Sequence, residues 1–151
     1  MGLHPMQGYG LNSYQRSSVT NTLRWLEKAL AAIEEVLAAD QQGTLYRMVT
    51  RLSPEQRRLT HELVDSLRRE IAAVVAKFAL RAEEEDGRQF IVAQLASAWE
   101  GLEEAKSTKL VRYGLVDSSL KESLDPCIDR FIELVVALEH VVASASEDGG
   151  P

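Results

Sequence analysis

The stretch that decides the fold is residues 124–144, which read "LDPCIDRFIELVVALEHVVAS". Its apolar residues recur at steps of three and four, the spacing that places side chains on one face of an α-helix. One apolar row consists of Leu124, Ile128, Phe131, Ile132, Val135, Leu138 and Val142, and a second row beside it consists of Cys127, Leu134 and Val141. Only a narrow polar strip of the helix surface remains. The sequence therefore predicts a helix that lies centrally in a bundle or against a second copy of the chain.

Three earlier segments show the same spacing and predict three further amphipathic helices. The first carries Val19, Leu23, Leu26, Leu30, Ile33 and Leu37, and its row is widened by Trp25, Ala29, Ala32 and Val36. The second carries Leu63, Leu67, Ile71, Val74 and Phe78, and the third carries Phe90, Ile91, Val92, Leu95, Trp99 and Leu102. Gly43 suits the end of the first helix. Ser53, Pro54 and Gln56 suit the start of the second, where they predict a capping box.

Amphipathic helices of this length do not bury their apolar rows alone, and side-by-side packing at shallow crossing angles is the usual way to cover them. We therefore predict an all-α four-helix bundle, antiparallel and up-and-down, as a single domain over residues 13–144. The two ends, residues 1–12 and 145–151, are expected to be flexible. Short extra helical turns are predicted in the first connection, from Leu45, Tyr46, Met48, Val49 and Leu52, and in the third connection, within residues 109–129.

The composition disfavours several classes of function. The 151 residues are 45% hydrophobic and 26% charged, as in a soluble globular protein. A net charge of −6, from 17 basic and 23 acidic residues, disfavours nucleic-acid binding, which needs a basic face. No segment approaches about 18 uninterrupted apolar residues, so no membrane span is expected. The N-terminal residues hold no apolar run like that of a signal peptide, and Cys127 is the sole cysteine, so a cytoplasmic protein is expected.

The third connection, "KLVRYGLVDSSLKESLDPCID" at residues 109–129, has a structural interpretation for each unusual residue. Gly114 can end a helix in a left-handed conformation, and Asp117 can cap a short helix after it. Asp125 before Pro126 suits the cap of the fourth helix, because the proline prevents a continuous helix through that point.

A basic and aromatic rim is the functional alternative for this region, formed by Lys106, Lys109, Arg112 and Tyr113. Lys106, Lys109 and Tyr113 follow one another at spacings of three and four, so they are expected to share a helix face, with Arg112 nearby. Such a rim would hold an anion or an acidic partner.

The residues of metal and catalytic sites do not occur at the spacings that those sites require. A di-iron centre in a four-helix bundle needs Glu-x-x-His pairs, whereas the residues three before His61 and His140 are arginine and alanine. One cysteine and three histidines give no zinc cluster. Cys127 is expected to be a small buried hydrophobic residue, because its helix is apolar around it. We therefore predict no metal, no cofactor and no enzymatic activity.

One short motif suggests a phosphorelay. Residues 59–67, "LTHELVDSL", resemble the phospho-acceptor box of sensor histidine kinases, in which a helical Ser-His-Glu-Leu is followed by Arg, a small residue, Pro and Leu. The matching residues are His61, Glu62, Leu63 and Leu67, with Thr60 in place of the serine and Val64 and Ser66 where the arginine and proline stand. The resemblance implies that His61 accepts a phosphoryl group, and a surface histidine on a helix is the structural alternative.

Taken with the apolar fourth helix, these features predict a non-enzymatic helical protein that acts through protein contacts, as an adaptor or a small regulatory subunit. Symmetric self-association is the commonest use of such a face, so a homodimer built on the fourth or the first helix is expected. The alternative is a small-molecule-binding or phosphorelay bundle with a pocket between helices, whose mouth would carry Trp25, Trp99 or Tyr113.

Overall fold

The structure is a computed structural model that describes residues 10–148, with side chains up to residue 144. In chain order its elements are α1 (Ser13–Ala38), β1 (Gln41–Gln42), β2 (Arg47–Met48), α2 (Pro54–Lys77), α3 (Gly87–Glu104), α4 (Ser107–Leu110), a 3-10 turn (Val111–Tyr113), α5 (Leu120–Ser123) and α6 (Asp125–Asp148). The four long helices cover the four predicted segments, and the all-α character is confirmed. The flexible ends were predicted partly on residues 1–9 and 149–151, which lie outside the described residues. α6 extends into the segment predicted as the C-terminal tail.

The chain divides into two compact units, with the boundary between Glu83 and Glu84. The first unit contains α1, the two short strands and α2, and the second contains α3 to α6. The single domain predicted over residues 13–144 stays a prediction.

In the first unit, α1 and α2 form an antiparallel pair whose two ends are tied by arginine side chains. At one end Arg16 Nη1 donates to the carbonyl oxygens of Phe78 at 2.7 Å and Ala79 at 3.0 Å. At the other end Arg57 Nη1 donates to the carbonyl oxygen of Leu37 at 2.8 Å. Each arginine satisfies carbonyl groups that the end of a helix leaves without an intrahelical partner.

The core of this unit lies between the two helices. Leu30, Val64 and Ile71 are buried, with exposed fractions of 2%, 4% and 5%. Around them pack the partly buried side chains of Leu23, Leu26 and Val75. On both helices these residues recur at steps of three, four or seven, as expected for faces of helices that pack together.

The details of the predicted apolar rows of this unit need correction. Leu63 and Trp25, predicted on the inner faces, are 64% and 76% exposed. The buried side of α2 is centred on Val64, Ile71 and Val75, about 60° around the helix from the centre of the predicted row, and only Ile71 belongs to both. α2 ends at Lys77, just before Phe78, the last residue of its predicted row, and Ala79 then adopts a positive φ of 52° that a helix does not continue through.

The first connection forms a β-hairpin, so the helical turn predicted there is wrong. Gln41 pairs with Met48 and Gln42 with Arg47 in two antiparallel strands. The turn between them is closed by the Gly43 amide, which donates to the Tyr46 carbonyl at 3.0 Å. A Cβ at Gly43 would lie 2.6 Å from the Tyr46 ring, so this glycine belongs to the hairpin rather than to the end of α1. Leu45, at the turn, is 97% exposed and covers no core.

The capping box predicted at the start of α2 is confirmed. The Ser53 hydroxyl accepts from the Gln56 amide at 3.0 Å, and the Gln56 side chain accepts from the Ser53 amide at 2.9 Å. Pro54 occupies the start of the helix, where its missing N–H has no consequence.

Replacing Ser53 by alanine is therefore expected to lower the free energy of unfolding by about 1 kcal/mol, because the Gln56 amide loses its acceptor. Urea denaturation followed by circular dichroism measures the change. Ser53→Asp is the matched control and should stay near wild type, since aspartate caps a helix as well as serine does. An unchanged stability of Ser53→Ala would show that the cap contributes nothing, and equal losses in both variants would mean that the loss does not come from the missing acceptor.

In the second unit, α3 and α6 form the other antiparallel pair. Residues 98–102 of α3 lie beside residues 131–138 of α6, and residues 88–96 lie beside residues 142–143. Ile128 of α6 is buried here, with 7% of its surface exposed. The helical turns predicted in the third connection are confirmed as α4, the 3-10 turn and α5. Gly114 follows the 3-10 turn with a φ of 145°, which favours glycine.

Candidate functional site

A continuous row of exposed apolar side chains runs along α6. The row consists of Cys127, Phe131, Leu134, Leu138 and Val141, and each of these residues is exposed. Their steps of four, three, four and three keep them within a strip about 80° wide. Phe131 and Val141 expose 52% and 64% of their surfaces. The strip, called the α6 row below, lies about 100° around the helix from buried Ile128.

Small residues of α3 leave an apolar groove beside the α6 row. The groove has a volume of about 570 Å³ and is lined by Ala98, Gly101, Leu102, Phe131, Leu134, Val135 and Leu138. None of these lining residues has a polar or charged side chain. A Cβ added at Gly101 would meet nothing within 4 Å, so the α3 side of the groove is open. The surface can therefore receive apolar side chains from a partner.

The basic and aromatic rim predicted on one helix face is divided by a helix break. Lys106 has an extended backbone, with φ −68° and ψ 152°, between the end of α3 and the start of α4. Its ammonium nitrogen lies 3.2 Å from an Asp129 carboxylate oxygen and 3.3 Å from a Glu103 carboxylate oxygen. Hydrogen bonds to Asp129 and then to Glu103 raise the pKa of Lys106. The Lys106 ammonium therefore pairs with one carboxylate of α3 and one of α6, and this links α6 to the end of α3.

The other rim residues follow this break. Arg112 forms an ion pair with Glu104, and its Nε donates to the Lys109 carbonyl at 3.2 Å. The Arg112 guanidinium carbon also lies 5.7 Å from the centre of the Tyr113 ring, within the range of a cation–π contact. Lys109 and Tyr113 are exposed. The anion-binding role of the rim stays a prediction, and carboxylates offset two of its three positive charges.

Asp125 was predicted to cap α6, but its carboxylate instead binds Ser107 at the start of α4. Its carboxylate accepts from the Ser107 amide at 2.8 Å and from the Ser107 hydroxyl at 2.7 Å. Ser107 is buried, with 7% of its surface exposed, so these donors have little access to water. The hydrogen bonds from the Ser107 amide and then its hydroxyl lower the pKa of Asp125. The contact joins the first residues of α4 and α6.

His61, the phospho-acceptor candidate, lies exposed on α2. On the same helix Arg68 forms an ion pair with Glu34 of α1. The Arg68 hydrogen bond is the main reason that the pKa of Glu34 is lowered, and the charge of His61 adds a smaller contribution. An exposed histidine on a helix agrees with the structural alternative, and phosphoryl transfer to His61 stays a prediction.

Cys127 is exposed, so its predicted burial is wrong. It precedes buried Ile128 by one residue, and one residue turns a helix by about 100°. Its Sγ lies 3.5 Å from the Ser123 carbonyl oxygen, to which the thiol donates. Cys127 therefore begins the α6 row.

The aromatic residues proposed for a pocket mouth are all exposed: Trp25 by 76%, Trp99 by 42% and Tyr113 by 80%. Trp99 lines an open depression of about 480 Å³ together with Glu100, Glu103, Glu104 and Lys109. Among the described residues, no three or more His, Cys, Asp or Glu side chains are grouped so that they would hold a metal ion. Within the same part of the chain, no helix has both the length and the apolar content that crossing a bilayer requires.

Comparison of the chain with protein-family models, with curated proteins and with solved structures gives no match. Sequence reasoning identified the apolar residues of α6 but placed Phe131 and Leu138, which are exposed, in the same row as buried Ile128. It also missed the α3 side of the groove. The available signal was the spacing of Ala98, Gly101 and Ala105 at three and four, which places small residues on one helix face.

Proposed function

We propose that the chain is a non-enzymatic helical protein that acts through protein–protein contacts, as an adaptor or a small regulatory subunit, and that it forms a homodimer. The α6 row is the observation that carries this proposal. Scattered exposed apolar residues are ordinary, but a contiguous apolar strip beside an apolar groove is typical of an interaction surface. The four exposed large residues of this strip are Phe131, Leu134, Leu138 and Val141.

The four-helix bundle belongs to the same proposal. Two antiparallel helix pairs placed face to face form an antiparallel up-and-down bundle, and this packing removes their exposed apolar faces from water. Leu63 and Leu67 of α2, exposed by 64% and 40%, are the kind of side chain that such packing covers. A cytoplasmic location is also proposed, because the chain's one cysteine gives no internal disulfide.

A small-molecule-binding protein is the second candidate, favoured by the open depression beside Trp99. An exposed indole next to the Glu100 carboxylate would suit a cationic aromatic or amine ligand, although Glu103 and Glu104 already pair with Lys106 and Arg112. In this candidate a bound small molecule would stabilise the folded chain, whereas in the leading proposal dimerisation would.

Two measurements on the full chain separate the candidates. Sedimentation velocity from about 1 to 100 µM is expected to show mass action from the 16.8 kDa monomer to a dimer. A thermal-shift panel of metabolites is expected to leave Tm unchanged. A monomer at every concentration would contradict the homodimer. A rise of several degrees with one metabolite would favour the small-molecule candidate, because a ligand at about 100 times its Kd adds about 2.7 kcal/mol of stability.

A further inference from the structure

We propose that the occupant of the α3–α6 groove is a second copy of this chain, with the α6 row of each copy packed against α3 of the other about a two-fold axis parallel to the helices. This inference rests on the proposed function and specifies its surface. It follows from the distribution of large and small side chains on one face of the helix pair.

The exposed residues that line the groove are large on α6 and small on α3, where Leu102 is half-buried. Phe131, Leu134 and Leu138 form a ridge on α6, while Ala98 and Gly101 form a furrow on α3. Because all of them line one groove, the ridge and the furrow lie at the same level along the helix pair. Rotation about a two-fold axis parallel to the helices leaves each residue at the same height along the helices. It places the α3 side of one copy opposite the α6 side of the other. The ridge of one copy then faces the furrow of the other, and each α6 runs antiparallel to the α3 that it contacts.

The alternative two-fold axis, perpendicular to the helices, packs less well. It would place α6 against α6 and α3 against α3, so that ridge meets ridge and furrow meets furrow. Protein interiors are packed as densely as organic crystals, and a void beside Gly101 would leave its lining without contacts. Only the parallel axis fills the furrow, so self-complementary shape points to a second copy in that arrangement.

The area of the face fits a reversible dimer. The exposed parts of Phe131, Leu134, Leu138 and Val141 amount to on the order of 400 Å² per copy, since a fully exposed large side chain presents roughly 150–250 Å². With the groove lining included, the two copies would bury on the order of 1,000 Å², which is near the lower limit for specific interfaces. An interface of this size is typical of a weak, reversible association.

The first test is Gly101→Leu in the full chain, measured by sedimentation equilibrium. A side chain at Gly101 meets nothing within 4 Å in the single chain, so the variant is expected to fold with unchanged helicity. Leucine would fill the furrow, and at least a tenfold weaker dimer is expected. Ala96→Leu is the matched control, because it adds a leucine to α3 about 140° around the helix from Gly101. The control dimer should keep its wild-type dissociation constant.

Compensation and cross-linking test the arrangement itself. Leu134→Ala combined with Gly101→Leu moves volume from the ridge to the furrow and is expected to recover part of the lost dimer. In a Cys127→Ser background, mixing a Gly101→Cys chain with a Leu134→Cys chain should give a mixed disulfide under mild oxidation. The Leu134→Cys chain by itself should give little disulfide, because the two α6 rows do not face each other.

The outcomes separate this inference from the proposed function. A wild-type dimer that tolerates Gly101→Leu, or rapid disulfide formation by Leu134→Cys alone, overturns the ridge-and-furrow packing and leaves a homodimer through another surface. A wild-type monomer overturns both the packing and the homodimer. A metabolite-dependent rise in Tm would instead count against the protein-contact function.

Discussion

Replacing Leu30 with alanine is expected to lower the free energy of unfolding by about 2–5 kcal/mol. Leu30 is 2% exposed and lies at the centre of the core between α1 and α2, against Val64 and Ile71. Truncation removes buried methyl groups and leaves a cavity that the two helices can only partly close. For a chain whose total stability is about 5–15 kcal/mol, the loss is a large fraction.

Urea denaturation followed by circular dichroism measures this loss as a lower midpoint with an unchanged slope. Leu45→Ala is the matched control, since it makes the same chemical change at a leucine that is 97% exposed. Its effect should stay within about 0.5 kcal/mol of zero. Similar losses for both leucines would mean that the packing of α1 on α2 does not determine the stability.

Leu30 also shows what the sequence could predict about the fold. The steps of three and four identified four helices, because burial in a helix pair repeats with the helical turn. The same steps do not determine which of two neighbouring rows faces inward. A row shifted by one residue has the same spacing but lies about 100° around the helix. For this reason Ile71 was predicted correctly, whereas Leu63 is 64% exposed.

The first connection could not be predicted for a different reason. Its apolar residues Leu45, Tyr46 and Met48 suggested a helical turn, but the strands contain two residues each, too few for an alternating pattern to show. The turn is closed by the hydrogen bond from the Gly43 amide to the Tyr46 carbonyl, and the Tyr46 ring lies where a Cβ at Gly43 would stand. Neither contact has a recurring pattern in the sequence.

The candidate site was predicted in part. The apolar surface on two sides of α6 follows from the sequence, because only a narrow polar strip remains on that helix. The exposed row, however, includes Phe131 and Leu138, which were predicted in the same row as buried Ile128. The division of the rim at Lys106 does not follow from the sequence. Spacing gives a shared helix face only while the helix continues, whereas Lys106 is extended between α3 and α4, next to the Ser107 amide that donates to Asp125.

The contact between Asp125 and Ser107 should be important for the stability of the second unit. Both donors of Ser107, its amide and its hydroxyl, end on the Asp125 carboxylate. Because Ser107 is buried, removal of the carboxylate leaves two donors that water reaches poorly, and an unmade buried hydrogen bond is more costly than the net gain from a formed one. Asp117 provides a comparison, since it accepts from the amide and hydroxyl of Ser119 at 2.9 and 2.8 Å on the surface.

Asp125→Ala is therefore expected to lower Tm by about 5 °C or more, and Asp117→Ala by clearly less, because water can replace the lost acceptor at exposed Ser119. The pKa of Asp125 is lowered in the folded chain by its bonds from Ser107. Its stabilising effect is thus complete above the ordinary aspartate pKa of about 3.9 and is lost as the pH falls through the lowered value. Thermal melts of wild type and Asp125→Ala should differ by a constant amount from about pH 5 to 8 and converge below about pH 4. A difference that persists unchanged into acid would mean that the carboxylate charge does not stabilise this junction.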